Sequence, residues 1–225
     1  MSENNGPRQR GKWSAEDIRK ALNVYAVTDR QWLGERTLSD CVKEALDGGA
    51  SFVQLREKEA PRMKIALYAH ALKPLCEQAS VPFVIDDDVD LAKQVGADGV
   101  HIGQGDEACT RARAELGEDA IIGVSVQTPD QARAAQEAGA DYLGVGAVAS
   151  TSTKPEAGVL SAQEIQAICD AVEIPVVAIG GVNENTIGVL DGVDISGIAV
   201  VSAIFAADDI RAATANLVKR MDMRP

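Results

Sequence analysis

One phrase, repeated four times, constrains this chain more than any other feature. An amphipathic stretch runs into a Gly, a small residue follows, and an apolar run begins. The instances are Gly49-Ala50-Ser51 before residues 52–55, Gly96-Ala97-Asp98 before 99–102, Gly139-Ala140-Asp141 before 142–145, and Gly192-Val193-Asp194 before Ile195 onward. A Gly just past a helix takes the left-handed conformation that turns the chain into the next element, so each phrase reads as a helix-to-strand joint. Four further strand-like runs lie at residues 23–27, 81–85, 120–124 and 174–179. Amphipathic stretches such as residues 61–79 and 128–138 separate the runs, with apolar residues at helical spacing.

Strict alternation of strand and helix implies parallel strands joined by right-handed crossovers, and eight strands suggest closure. The expected fold is α/β, a single (β/α)8 TIM barrel; an open doubly wound sheet is the alternative that the pattern leaves open. The 225 residues suit one barrel of this kind, and their 46% hydrophobic content with only 4% aromatics implies a core of Val, Ile, Leu and Ala. The expected organisation is a polar N-terminal tail and short helix over residues 1–20, then the barrel over 21–225. The tail takes the first dozen residues, and Ser14 caps the helix with Glu16 and Asp17 in its first turn.

A net charge of −12 argues against nucleic-acid binding, which needs clustered Lys and Arg. Cys41, Cys76, Cys109 and Cys169 are far apart and form no C-x-x-C, so they read as neutral or buried thiols in a reducing cytosol. The N-terminus lacks the apolar centre of a signal peptide and no run is long enough for a membrane helix. A cytoplasmic enzyme without membrane or nucleic-acid partners is expected, and a homo-oligomer is compatible with this.

In a barrel, the residues after each strand share one face, so the site is read by collecting those segments. They are Gln54-Leu55-Arg56-Glu57-Lys58, Asp86-Asp87-Asp88, Gly103-Gln104-Gly105-Asp106, Ser125-Val126-Gln127-Thr128, Thr151-Ser152-Thr153-Lys154, Gly180-Gly181-Val182-Asn183 and Val201-Ser202-Ala203. Gly180, Gly181 and Ser202 suit a phosphate bound by backbone N–H groups after the seventh and eighth strands; a plain tight turn is the alternative. Asp87 and Asp106 close adjacent strands and offer hard oxygens to Mg2+ shared with substrate phosphates; for a lone acid, a solvated turn over Asp86 to Asp88, or helix capping by Asp88 and Asp106, is the simpler reading. Arg56, Lys58 and Lys154 converge on this face as phosphate-binding cations. Ser125 is not expected to be a nucleophile, since no His lies in an evident partner position, and His101 reads as a packed strand residue. His70 falls on an outer helix.

Taken in order, Tyr25-Ala26-Val27-Thr28-Asp29, the segment at 54–58, Ile85-Asp86-Asp87, Gly99-Val100-His101-Ile102-Gly103-Gln104, Gly123-Val124-Ser125, Thr151-Ser152-Thr153-Lys154, Val177-Ala178-Ile179-Gly180-Gly181 and the segment at 199–204 closely resemble the thiamine-phosphate synthase family, over roughly residues 24–218. The resemblance implies a transferase of thiamine biosynthesis. Such an enzyme condenses 4-amino-2-methyl-5-hydroxymethylpyrimidine diphosphate with thiazole phosphate and releases pyrophosphate. It implies that Gln54, Arg56, Glu57, Lys58, Asp86, Ser125 and Lys154 contact the pyrimidine diphosphate, and that Arg56, Lys58, Ser125 and Lys154 act in catalysis. Asp87 and Asp106 would bind Mg2+, while Thr151, Ser152, Thr153, Gly180, Gly181, Val201 and Ser202 would hold the thiazole phosphate.

The aminopyrimidine can stabilise a benzylic-type cation, so the implied mechanism is dissociative: the enzyme stabilises departing pyrophosphate and positions the thiazole nitrogen. Two positions depart from the family pattern. Asp86 stands where Asn is usual, adding negative charge beside the expected metal, and Gln127 replaces a common His. The related thiazole tautomerases rely on a histidine at that position and lack the intact Thr-x-Thr-Lys segment, so Gln127 with Thr151 to Lys154 favours the synthase. A tautomerase that needs neither the diphosphate nor Mg2+, and a non-catalytic binding protein that keeps only the phosphate clamp, are the competing readings.

Overall fold

The Gly of each repeated phrase adopts the left-handed backbone its role demands, with φ of +99° at Gly49, +63° at Gly96, +95° at Gly139 and +82° at Gly192. What these joints assemble is a barrel, seen in a computed structural model that describes residues 13–103, 106–150 and 158–224, apart from the side chains of Asp106 and Glu107. Helix α1 (Ala15–Ala21) precedes β1 (Val24–Val27), α2 (Leu38–Asp47), β2 (Phe52–Leu55), α3 (Arg62–Ala79), β3 (Phe83–Asp86) and α4 (Val89–Val95). Then come β4 (Gly99–Ile102), α5 (Asp106–Leu116), β5 (Ile121–Val126), α6 (Pro129–Glu137), β6 (Tyr142–Val145), α7 (Ala162–Cys169), β7 (Val176–Ile179), β8 (Gly197–Val200), α8 (Ser202–Phe205) and α9 (Ile210–Asp222). All neighbouring strands pair parallel, and β8 closes on β1 with Ala199 beside Tyr25. The open doubly wound alternative is thereby excluded.

Several boundaries differ from the sequence reading. Strands β3 and β7 begin after Pro82 and Pro175, which lack the N–H a ladder needs, although both carbonyls still accept bonds from the neighbouring strand. Strand β5 runs on to Val126, so Ser125 is a strand residue and not a loop residue. The stretch ending at Gly192 is a single 3-10 turn over Ile187–Leu190 rather than a helix, and β8 starts at Gly197. The first dozen residues, read as a tail, lie outside the described residues.

Strand alternation sorts side chains into two cores. Outward-facing Val24, Ala26, Val53, Leu55, Ile85 and Val100 pack under the helices, with all four cysteines in that same layer. Burial pushes the Cys76 and Cys169 thiols up to about 12, so they stay neutral and serve as packing groups. Tyr25, Val27, Phe52, Val84, Ile121, Tyr142, Val177 and Ala199 fill the barrel interior. The large rings there need glycines opposite: a Cβ on Gly123 would lie 2.1 Å from Cζ of Tyr142 and 2.5 Å from Nδ1 of His101. Helix α1, with the Ser14 capping box complete, lies beneath this interior and packs Ile18 and Leu22 into it.

Candidate active site

One cavity at the C-terminal ends of the strands gathers Gln54, Arg56, Lys58, Asp86, Asp87, Ser125, Gln127, Gly180, Gly181, Val201 and Ser202. Each comes from the end of a strand or the first residues after it, which is why a barrel concentrates polar groups on this face. His101 lines the same cavity.

Lys58 organises one side of it. Its Nζ lies 2.7 Å from Oδ2 of Asp86 and 2.5 Å from Oδ2 of Asp87, with the Arg56 guanidinium 4.0 Å from Asp86. Burial pulls the Lys58 ammonium down, but the two carboxylates outweigh it and hold the group above the ordinary lysine value. The two acids diverge. Burial pushes the Asp86 carboxyl above its ordinary range despite Lys58. For Asp87, burial acts the same way, yet the Lys58 ammonium and the Gly103 N–H outweigh it and the carboxyl sits low.

Asp87 is aimed by its backbone. Its φ is +59°, a left-handed conformation that Asp tolerates better than most residues. Its N–H donates to the His101 carbonyl at 2.8 Å, and the Gly103 N–H donates to its Oδ1 at 3.2 Å. Strand β4 thus fixes a strained turn on β3 and presents a hard carboxylate at the rim. Asp88, next along, is a helix cap: its Oδ1 accepts from the Leu91 N–H at 2.8 Å and its Oδ2 from Arg62 at 2.8 Å.

Across the cavity, Gly180 and Gly181 have φ of +89° and +73°. A Cβ on Gly181 would come within 2.6 Å of the Ala149 carbonyl oxygen, and one on Gly180 within 2.8 Å of the Ala147 Cβ. The glycines are therefore required by the turn and by its packing on the segment after β6. The turn is braced by Thr186, whose Oγ1 donates to the Gly181 carbonyl at 2.7 Å. Beside it, Ser202 opens the short helix α8 straight after β8. Loops seven and eight with an extra helix N-terminus are the common phosphate site of such barrels.

Glu57 does not join this cavity. On extended backbone successive side chains point opposite ways, so with Arg56 and Lys58 at the mouth Glu57 turns aside. Its Oε2 accepts from Arg30 Nε at 2.6 Å, with the Glu57 side chain 5% exposed. Glu57 instead lines an adjoining depression shared with Lys58, Asp86 and Asp87, where it pairs with Arg30. Thr151, Ser152, Thr153 and Lys154 lie outside the described residues; Asp106 opens α5, but its side chain is not among those described.

His101 is the residue that sequence reasoning undervalued. Its Nε2 lies 3.0 Å from Ser125 Oγ and its Nδ1 2.9 Å from the Tyr142 hydroxyl. The view that Ser125 has no histidine partner is therefore corrected. The available signal was register, for His101 pairs with Asp86 on one side and Gly123 on the other, at the cavity level.

A family model described as thiamine monophosphate synthase matches residues 24–204. The chain belongs to the thiamine monophosphate synthase family. It is 42% identical to the thiamine-phosphate synthase of Clostridium botulinum over 200 residues, 89% of this chain and 94% of that one. The thiamine-phosphate synthase of Haloquadratum walsbyi is 43% identical over 205 residues, covering 90% and 92%. Among solved structures, thiamine phosphate pyrophosphorylase from Pyrococcus furiosus superposes with a TM-score of 0.82 at 37% identity, covering 91% of this chain and 98% of that one. The family match thus covers all eight strands and every described residue of the cavity.

The donor chemistry at the rim fits a magnesium ion. Asp87 supplies a carboxylate held in its ionised form, and Asp106 starts the next helix on the adjacent strand. Among the described residues no group of three or more His, Cys, Asp and Glu converges as a complete cage. Mg2+ characteristically takes one or two carboxylates and completes its shell with water and substrate phosphate.

Proposed function

We propose that this mouth joins 4-amino-2-methyl-5-hydroxymethylpyrimidine diphosphate to thiazole phosphate, giving thiamine phosphate and pyrophosphate. Family membership supports thiamine-phosphate synthesis as the activity. The observation that carries the site assignment is the pairing, in one cavity, of a lysine clasped by two carboxylates with a double-glycine turn and a helix N-terminus. The first half suits a diphosphate with its cation and the second a monophosphate, so the two substrates meet in the space between.

In this reading Asp87 and Asp106 hold Mg2+, which supplies charge neutralisation for the departing pyrophosphate. Lys58 and Arg56, already assembled against Asp86, can exchange carboxylate oxygens for diphosphate oxygens as negative charge grows on the leaving group. The turn at Gly180 and Gly181 with Ser202 anchors the thiazole phosphate and so fixes where its ring nitrogen sits. Lys154, outside the described residues, is assigned as a further cation for the leaving group. Bond breaking ahead of bond making requires no covalent protein intermediate. A cytoplasmic location belongs to this reading, supported by four buried free cysteines. Among the described residues no helix is long and apolar enough to cross a membrane.

The decisive experiment is pyrophosphate release with both substrates, with and without Mg2+. Release that needs both substrates and the metal is expected. Isomerisation of a thiazole carboxylate phosphate in the absence of the diphosphate would instead mark a tautomerase.

A further inference from the structure

The floor of the cavity is a single hydrogen-bonded chain crossing five strands. Gln54 Nε2 on β2 donates to the Tyr25 hydroxyl on β1 at 2.5 Å, and the Tyr25 and Tyr142 hydroxyls lie 2.9 Å apart. The Tyr142 hydroxyl on β6 meets His101 Nδ1 at 2.9 Å, and His101 Nε2 meets Ser125 Oγ on β5 at 3.0 Å. Both phenols are buried, and burial pushes their ionisation above the ordinary tyrosine range, so each keeps its single hydrogen.

With one hydrogen per phenol, the bonds must all run the same way. The Gln54 amide donates at one end, so Tyr25 gives its hydrogen to Tyr142 and Tyr142 gives its own to His101 Nδ1. An accepting Nδ1 leaves the ring hydrogen on Nε2, where it goes to Ser125 Oγ. The Ser125 hydrogen is then left for the cavity. We infer that His101 is a positioning residue: set as the neutral Nε2–H tautomer by Gln54 through Tyr25 and Tyr142, it makes Ser125 a hydrogen-bond donor aimed at an acceptor atom of the pyrimidine diphosphate.

The surroundings hold the ring to this task. A Cβ on Gly144 would lie 3.1 Å from His101 Cε1, and one on Gly123 2.5 Å from Nδ1, so glycines on both neighbouring strands make the slot for the imidazole. The group hydrogen-bonded to His101 Nδ1 is the Tyr142 hydroxyl, while the Asp86 and Asp87 carboxylates act on this network through charge from the rim. A nucleophilic serine needs an orienting carboxylate or its equivalent to stabilise an imidazolium; here the orienting group is a neutral phenol. The His–Ser pair is thereby built for donation and not for attack.

The identity of the ligand rests on the function proposed above, whereas the tautomer does not, and the test separates them. In the full-length protein without substrates, a two-bond 1H–15N spectrum reports which nitrogen of His101 carries hydrogen. The chain holds two histidines, so His70→Gln assigns the signal. The expected form is Nε2–H with Nδ1 bare. In Gln54→Glu the end group, once ionised, can only accept, so at a pH where that carboxylate is charged every bond reverses and the spectrum should show Nδ1–H. If that variant does not fold, Tyr25→Phe cuts the chain without changing ring volume and should give a tautomer mixture. An Nδ1–H or imidazolium signal in the parent, or an unaltered signal in these variants, overturns the inference. With active enzyme, Tyr142→Phe should raise KM for the diphosphate about tenfold and leave KM for thiazole phosphate unchanged, the worth of one polar contact; equal changes in both would also overturn it. The expected tautomers in an enzyme that releases no pyrophosphate would uphold the positioning and defeat the function.

Discussion

Lys58 bonds two carboxylates of opposite disposition, Asp86 held high by burial and Asp87 held low, and this makes it the hinge of the site's electrostatics. Without the ammonium, two carboxyl groups face each other with Arg56 4.0 Å away as the nearest counter-charge on Asp86. Lys58→Ala should therefore lower kcat by about a hundredfold or more, the usual cost of removing one group that stabilises transition-state charge. Steady-state pyrophosphate release measures it, and a change confined to KM would contradict the assigned role. Much at this scale was legible in the sequence, because a residue that directly follows a strand must lie at the barrel mouth. Lys58, Asp87, Gly181 and Ser202 were found that way. The ion pair of Glu57 was not legible, because post-strand position does not say which way a side chain turns and Arg30 is remote in sequence. His101 was undervalued because its partners Tyr142 and Ser125 come from other strands, so only three-dimensional register brings them together.

Among the elements, α4 shows how local chemistry sets the geometry of the mouth. Its N-cap Asp88 follows immediately on the strained Asp87, so the cap fixes where the catalytic rim ends and the helix begins. The Arg62 guanidinium and then the Leu91 N–H hold the Asp88 carboxyl below the ordinary carboxylate value, against the opposing pull of burial. A depressed folded pKa contributes stability that is present above the unfolded value and is lost as pH falls through the folded one. Asp88→Ala should cost about 1 kcal/mol near neutral pH, and the gap to the parent should close on acidification through the carboxylate range. Urea unfolding at a series of pH values checks this; a gap independent of pH would show that the cap's charge plays no part. Caps of this kind were readable from sequence, as with Ser14 and Asp88 itself. The 3-10 turn at Ile187–Leu190 was not, since an apolar run ending in Gly has the same signature whether it completes a helix or one turn.

For the whole molecule, the barrel separates stability from chemistry along its axis. Helix α1 closes the end opposite the site: Trp13 Nε1 donates to Asp98 at 3.1 Å, and Arg19 donates to Ser196 Oγ at 3.1 Å and to the Glu173 carbonyl at 2.9 Å, all residues that precede strands β4, β8 and β7. Ile18, 3% exposed, enters the interior core from this side beneath Tyr25 and Phe52. Removing its side chain leaves a cavity where the strand bottoms converge, and large-to-small changes at such sites cost about 3 kcal/mol. The Lys58 cluster and the side chains of Gln54, His101 and Ser125 line the cavity at the other end, with the interior rings of Tyr25, Phe52 and Tyr142 between them and Ile18. Ile18→Ala should accordingly lower the unfolding midpoint in urea while leaving KM for both substrates within about twofold of the parent, since well-separated sites act additively. Together with Lys58→Ala, which should lower turnover with little loss of stability, this gives a double dissociation along the barrel axis. Should Ile18→Ala raise KM for either substrate as much as Lys58→Ala lowers kcat, the two ends are mechanically coupled through the interior rings, and Tyr25 and Tyr142 would be the residues carrying that coupling.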